Sequence, residues 1–186
     1  MNRRLTGILV LALAVLAGCQ GGDAEESGVV PTLYATAEGD DKHPVRAIAQ
    51  DPLARAAEEE LERLVNDYRI ERSLPGLRID LSLKELALAH AVHMGSHEPA
   101  FFDHVNPEGE LPETRATGRI ESFTTIGENI AAGQAVAHAV YQSWLASPSH
   151  RANLDDPRWT HMGAGHAVLP DSPYVTYWTL NFVERR

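Results

Sequence analysis

One cysteine, Cys19, stands in 186 residues, so no intrachain disulfide framework and no cysteine metal cluster can form. Basic charge is scarce: 16 Lys and Arg against 26 Asp and Glu leave a net charge of −10. Such a surface repels phosphate, which excludes nucleic acid as a partner and excludes membrane attachment through basic patches. The "LTGILVLALAVLA" stretch near the start falls short of the ~20 apolar residues needed to cross a bilayer. No His-Glu-x-x-His pair is present. No third glycine follows Gly163 and Gly165 at phosphate-loop spacing, so strand packing is the better account of "GAG". Ser149 is adjacent to His150, which makes a hydrogen bond between their side chains awkward, and no Ser-His-Asp set emerges. The chain shows no internal repeat.

What is there begins with Arg3 and Arg4 ahead of that short apolar run, the pattern of a signal peptide. The run ends in "LAGC", which resembles the lipobox of bacterial lipoproteins, in which the cysteine is acylated, for example with palmitate, and becomes the first mature residue. Residues 1–18 are therefore expected to be a lipoprotein signal peptide and Cys19 the lipidation site. Losing Arg3 and Arg4 and no acid moves the net charge from −10 to −12. Attachment then comes from the acyl chains, at ~0.8 kcal/mol per buried CH₂. Gln20, rather than Asp, follows the cysteine. The expected location is the bacterial cell envelope, lipid-anchored and extracytoplasmic, in the outer membrane where the cell has one. Residues 19–50 are rich in Gly, acids, Ser and Pro without sustained periodicity, and read as a disordered tether. His43 within it reads as solvated.

Order is expected from residue 51. Asp51 can cap a helix with Pro52 in its first position, and Leu61, Leu64, Val65 and Tyr68 share a face until Leu74-Pro75-Gly76. A second helix is expected at Ser82, with Ser82 and Glu85 as a capping box and Leu83, Leu86, Ala87, Ala91 and Met94 as its inner stripe. A third is expected over Gln134–Ala146, burying Val136, Ala139, Val140 and Trp144, with Ser147 and Pro148 opening another short turn. Beyond Pro157 the period becomes that of strands. "HMGAGHAVL" and "YVTYWTLNFVE" are joined through Pro170–Pro173, with Trp178, Leu180 and Phe182 on one face. Helices first and paired strands last predict one α+β domain over residues 51–186.

Histidine is the abundant chemical residue, with nine in the chain. His90, His93 and His97 lie three and four apart on the second helix, a spacing at which imidazoles can converge on one ion. His90 falls on the apolar stripe, where a packed histidine with one hydrogen bond is the simpler account. His97 suits a helix C-terminus. His104 follows Phe101 and Phe102, expected to anchor its loop, and precedes a Pro and Gly turn. His150 follows Pro148 in a short connection. Glu128 sits in "IGENIAAG", between Gly127 and Gly133.

"VNDYR", "LALAHAVHM", "FFDHVNPEG", "GENIAAG", "WLASPSHRANL", "MGAGHAV" and "YWTLNF" occur in that order, and together the sequence resembles bacterial members of the CAP superfamily (cysteine-rich secretory, antigen-five and pathogenesis-related proteins). The resemblance spans roughly residues 60–183. It implies a three-layer α-β-α sandwich around an antiparallel sheet. It also implies a shallow cavity whose two histidines and acids hold a divalent cation, often zinc. His104 and His150 match the two histidines and Glu128 the "GEN" glutamate. A second glutamate found in many eukaryotic members falls on Ser147. Ser149 stands where bacterial relatives commonly have Gly, and Leu180 where relatives often have Gln. Asn129, Ser147 and Asn153 are expected around the cavity.

Three roles stay open for Glu128. It can fix the tautomer of an imidazole, join the two histidines as a zinc ligand, or brace the loops in a polar network. The expected function is a noncatalytic, lipid-anchored envelope domain whose His/Glu cavity binds a divalent cation or a small or lipidic ligand. Membrane lipid, cell wall or protein are its expected partners. The alternative is a metal-dependent hydrolase of peptide or envelope polymer.

Overall fold

The computed structural model describes residues 52–97 and 99–185; the expected signal peptide, Cys19, the tether and the Asp51 cap lie outside the described residues. Helix α1 spans Pro52–Glu71 and buries Ala54, Leu61, Val65 and Tyr68 at helical spacing, with Leu64 at the margin. The chain leaves it at Ser73, two residues past Glu71, where φ is 60°. Ser73 N–H donates to Ile70 O at 2.9 Å and Leu74 N–H to Arg69 O at 2.8 Å, the paired bonds of a Schellman end. The stop thus comes before Pro75 and Gly76.

The "VNDYR" landmark is a set of fasteners at this end. Asn66 both donates to Leu77 O at 3.0 Å and accepts from Leu77 N–H at 2.7 Å, and Tyr68 donates to Asp155 at 2.9 Å. Arg69, wholly buried, donates to the carbonyls of Pro75, Leu154 and Asp156, each at 2.9 Å. Burial pulls its pKa down, with Asp156 and Asp155 opposing.

After a two-residue strand β1 (Arg78–Ile79), helix α2 runs over Leu81–Ser96. Its cap is Asp80, which accepts from Leu83 N–H at 3.1 Å, and not the expected Ser82–Glu85 box. Asp80 also pairs with Arg185, which fixes its carboxylate. The stripe of Leu83, Leu86, Ala87, Ala91 and Met94 is buried as expected. Short helix α3 (Pro112–Ala116) and strand β2 (Phe123–Ala132) follow, then α4 (Ala137–Ala146), α5 (Pro148–Asp155), β3 (His161–Val168) and β4 (Thr176–Arg185). The third expected helix therefore starts three residues late. Val136 is its extended N-cap residue and is exposed, as is Ala139, while Val140 and Trp144 are buried.

The four strands stand in the order β1-β3-β4-β2; β1 is parallel to β3 and the other pairs are antiparallel. Trp178, Leu180 and Phe182 face one layer, packing with Leu61, Val65, Trp144 and Leu154 of α1, α4 and α5. Tyr177 and Val183 face the other, packing against α2 residues Val92 and Leu83. This is the expected α+β sandwich. Close approach of α2 explains "GAG". A Cβ on Gly163 would meet the backbone of Leu83 and Lys84, and one on Gly165 that of Ala87 and Leu88.

Side chains cover both margins of the sheet. Because β1 is so short, β3 continues past it, and there Ala164 N–H donates to Glu62 at 3.0 Å and His166 N–H to Glu58 at 3.1 Å. Lys84 Nζ lies 3.2 Å from Glu58 and 3.0 Å from Glu62, neutralising charge in this buried patch. On β2, Trp144 Nε1–H donates to Ile130 O at 3.0 Å and Asn153 Nδ2–H to Glu128 O at 3.2 Å.

Candidate functional site

Glu128 lies within β2, and His150, expected in a short connection, lies in the first turn of α5. The pleat of β2 sends neighbouring side chains to opposite faces. Glu128 therefore points into the α2 layer and Asn129 into the α5 layer. Gly127, between Ile126 and Glu128, lets Trp159 approach: an added Cβ would lie 2.7 Å from the indole Cζ2.

The Glu128 carboxylate is almost completely enclosed, at 1% side-chain exposure. Its Oε1 accepts from His104 Nδ1–H at 3.0 Å and its Oε2 from Arg115 Nη2–H at 2.7 Å. Both oxygens are therefore engaged. Arg115 Nη1–H also donates to His104 O at 2.7 Å and to Glu110 O at 3.0 Å, so one guanidinium fastens both the carboxylate and the loop that carries its imidazole partner. Sequence reasoning missed Arg115. Arg115 is one of two arginines within "PETRATGR", where nothing local singles it out, and its partner lies 13 residues on.

The His104 loop is held by its own turns. Asp103 accepts from Val105 N–H at 3.0 Å, Asn106 and Glu110 pair through side chain and backbone, and Gly109 supplies a φ of 81°. Phe101 anchors the loop against the rings of His90, His93 and His97, whereas Phe102, expected to share that task, is exposed beside Tyr174. His104 itself keeps 44% of its side chain in solvent.

His90 makes one side-chain hydrogen bond, from Nε2–H to Asp103 O at 3.0 Å, and its Nε2 is 3.8 Å from Glu128 Oε1. Burial lowers its pKa to about 4, and it is neutral at ordinary pH. On the α5 side, His150 is half-buried with its ring 6.3 Å from Trp144, and Asn129 Nδ2–H donates to its carbonyl at 3.1 Å. Burial lowers the His150 pKa, and the charge of His104 lowers it further. Asn153 Nδ2–H reaches Asn129 Oδ1 at 2.9 Å, closing a chain of amides beneath α5. Ser147 is the N-cap residue of α5 and makes no side-chain cap bond; its Oγ lies 3.2 Å from Ser149 Oγ.

The donor chemistry fits a divalent cation held by imidazoles more than by carboxylate. With Nδ1–H committed to Glu128, His104 has its Nε2 lone pair free, and His150 is biased toward the neutral form that coordinates metal. Glu128 has no oxygen without a partner.

The CAP family, described as the cysteine-rich secretory protein family, matches residues 62–182. Among curated proteins the chain is similar to the uncharacterized protein YkwD of Bacillus subtilis (strain 168), 33% identical over 128 residues, 69% of this chain and 47% of that protein. It is also similar to the uncharacterized membrane protein YlbC of the same organism, 32% identical over 130 residues, 69% of this chain and 35% of that protein. The chain spans less than half the length of these curated relatives. Among solved structures, an extracellular protein containing an SCP domain from Bacillus anthracis str. Ames matches with a TM-score of 0.64 at 27% identity, covering 80% of this chain and 45% of that one. An outer surface protein from Borrelia burgdorferi matches with a TM-score of 0.65 at 24% identity, covering 72% of this chain and 96% of that one, a likeness of fold.

Proposed function

The chain belongs to the CAP family, and from that premise we propose a noncatalytic, extracytoplasmic binding domain, lipid-anchored through Cys19, whose His104 and His150 take a divalent cation, zinc foremost. The observation that carries this reading is the Arg115–Glu128–His104 chain. Arg115 holds Glu128 in place, Glu128 fixes the His104 tautomer, and Nε2 is thereby left with its lone pair. A bound cation would supply positive charge with open coordination positions for the polar group of a small or lipidic ligand, or of a cell-wall or protein partner. Hydrolysis would need a free general base, and Glu128 has neither oxygen to spare.

The extracytoplasmic assignment is supported by the "LAGC" signal and by the extracellular description of the Bacillus anthracis relative. Cys19→Ala should end acyl labelling and move the protein to the soluble fraction; continued labelling would overturn the anchor.

The cation reading is tested on the purified mature protein, made without an affinity tag, by histidine-selective ¹⁵N NMR. Added Zn²⁺ should shift the His104 Nε2 and His150 ring signals, with affinity falling as pH drops through ~6.5. Glu128→Gln should weaken that binding by ~10–100-fold. Unmoved His104 and His150 signals at saturating Zn²⁺ would overturn it.

A further inference from the structure

The three-donor cluster that the described residues bring together lies elsewhere: His93, His97 and Glu108 each offer a ligand atom, all within 4.8 Å of one another. His93 and His97 are one helical turn apart at the C-terminal end of α2. Glu108 comes from the turn after His104, and its Oε2 is 3.6 Å from His93 Nε2. We propose that these three residues form a second site, for a first-row divalent transition cation, distinct from His104 and His150.

Three features prepare this cluster. His97 Nδ1 lies 2.9 Å from Pro99 O; a carbonyl only accepts, so Nδ1 carries the proton and Nε2 keeps its lone pair for a metal. Phe101 stands edge-on to both rings, at 5.2 Å from His93 and 5.8 Å from His97, and limits their rotation. Glu108 is positioned by a turn fixed at both ends, through Asn106 N–H to Glu110 O at 3.2 Å and Gly109 N–H to Asn106 O at 2.8 Å.

The distances also suit the ion. Tetrahedral zinc with bonds of ~2.0–2.1 Å separates its ligand atoms by roughly 3.3 Å. His93 and Glu108 are already close to that, and closing the rest needs side-chain rotation alone, because Glu108 is 54% exposed. Two imidazoles with one carboxylate favour zinc and its neighbours over magnesium or calcium, which prefer oxygen. His93 and Glu108 also line a cavity of about 370 Å³ between α2 and the Asn106–Glu110 turn. A fourth ligand can therefore approach from that side. The ion would clamp the His104 loop to α2, and nothing in this arrangement depends on the His104/His150 reading.

Zn²⁺ binding to the purified mature protein, untagged, is measured by equilibrium dialysis with metal analysis, using His104→Ala/His150→Ala, His93→Ala/His97→Ala and Glu108→Gln variants. The expected result is that His104→Ala/His150→Ala retains one Zn²⁺ that His93→Ala/His97→Ala lacks. Glu108→Gln, an exposed change that leaves the fold intact, should weaken that Zn²⁺ by at least ~10-fold, the scale of losing one charged partner. Mg²⁺ should not compete. Unchanged Zn²⁺ binding in Glu108→Gln and in His93→Ala/His97→Ala would overturn the proposal, as would equal competition by Mg²⁺. Loss of all Zn²⁺ in His104→Ala/His150→Ala, with that variant folded, would also overturn it.

Discussion

Lowering the pH should cost this domain stability through one ring. His90 is 1% exposed, and its pKa is lowered from 6.5 to about 4; burial is the main cause, Glu128 opposes it and Arg115 reinforces it. In the unfolded chain the imidazole titrates near ~6.5. Between about pH 6.5 and 4 the unfolded state therefore binds a proton that the folded state refuses. Stability from this group is full above ~6.5 and declines as pH falls toward 4. Between about pH 7 and about pH 4.5 the loss comes to roughly 2 kcal/mol, a large share of a small domain's ~5–15 kcal/mol. Urea unfolding followed by tryptophan fluorescence measures it well, because Trp144, Trp159 and Trp178 are all buried. The comparison protein is His90→Gln, whose amide can still donate toward Asp103 O but does not titrate. Groups common to both proteins cancel when the two pH dependences are subtracted, and the remainder should be roughly 2 kcal/mol. Parallel loss of stability in the two proteins would refute the argument.

Three further outcomes rest on backbone and packing. Ser73→Gly should stabilise the domain by about 1 kcal/mol, read as a shift in the urea midpoint, because it relieves the φ of 60° at the end of α1. Gly163→Ala should destabilise it by at least ~2 kcal/mol, since the new methyl meets helix backbone that no side-chain rotation can clear; an unchanged midpoint would contradict the close α2–β3 packing. Arg69→Met should cost ~3 kcal/mol or more, because three carbonyls in the interior lose their charged donor; chemical denaturation of the purified variant checks this.

The parts of the fold that were legible are those where one face is plainly apolar. Leu61, Val65 and Tyr68 announce α1, the Leu83–Met94 stripe announces α2, and Trp178, Leu180 and Phe182 announce β4. Strand β2 gave no such pattern, because its centre places Glu128 and Asn129 side by side, each buried on a different face. Their burial is satisfied by Arg115, His104 and Asn153, partners that no local period reveals. The α2 boundary failed for a related reason. Asp80 and Ser82 are both good caps, and the deciding contact is Arg185, more than a hundred residues away. At the candidate site, His104 and Glu128 meet as the sequence motifs suggested, while the guanidinium that holds them could only be seen once α3 was folded beside β2.

The side chains that occupy the sheet edges restrict how this protein can meet others. A common route to recognition is to lend an open strand to a partner's peptide, and the same openness lets identical molecules zip together. Here the amides of Ala164 and His166 are spoken for by Glu62 and Glu58, and the carbonyls of Glu128 and Ile130 by Asn153 and Trp144. Recognition is thereby left to side chains on loops and helix faces, where the histidines are. For molecules crowded side by side on an envelope surface, as proposed above, sealed margins also keep neighbours from joining sheets. Removing one seal, as in Glu62→Ala, would free the Ala164 amide and open that margin to strand pairing between copies.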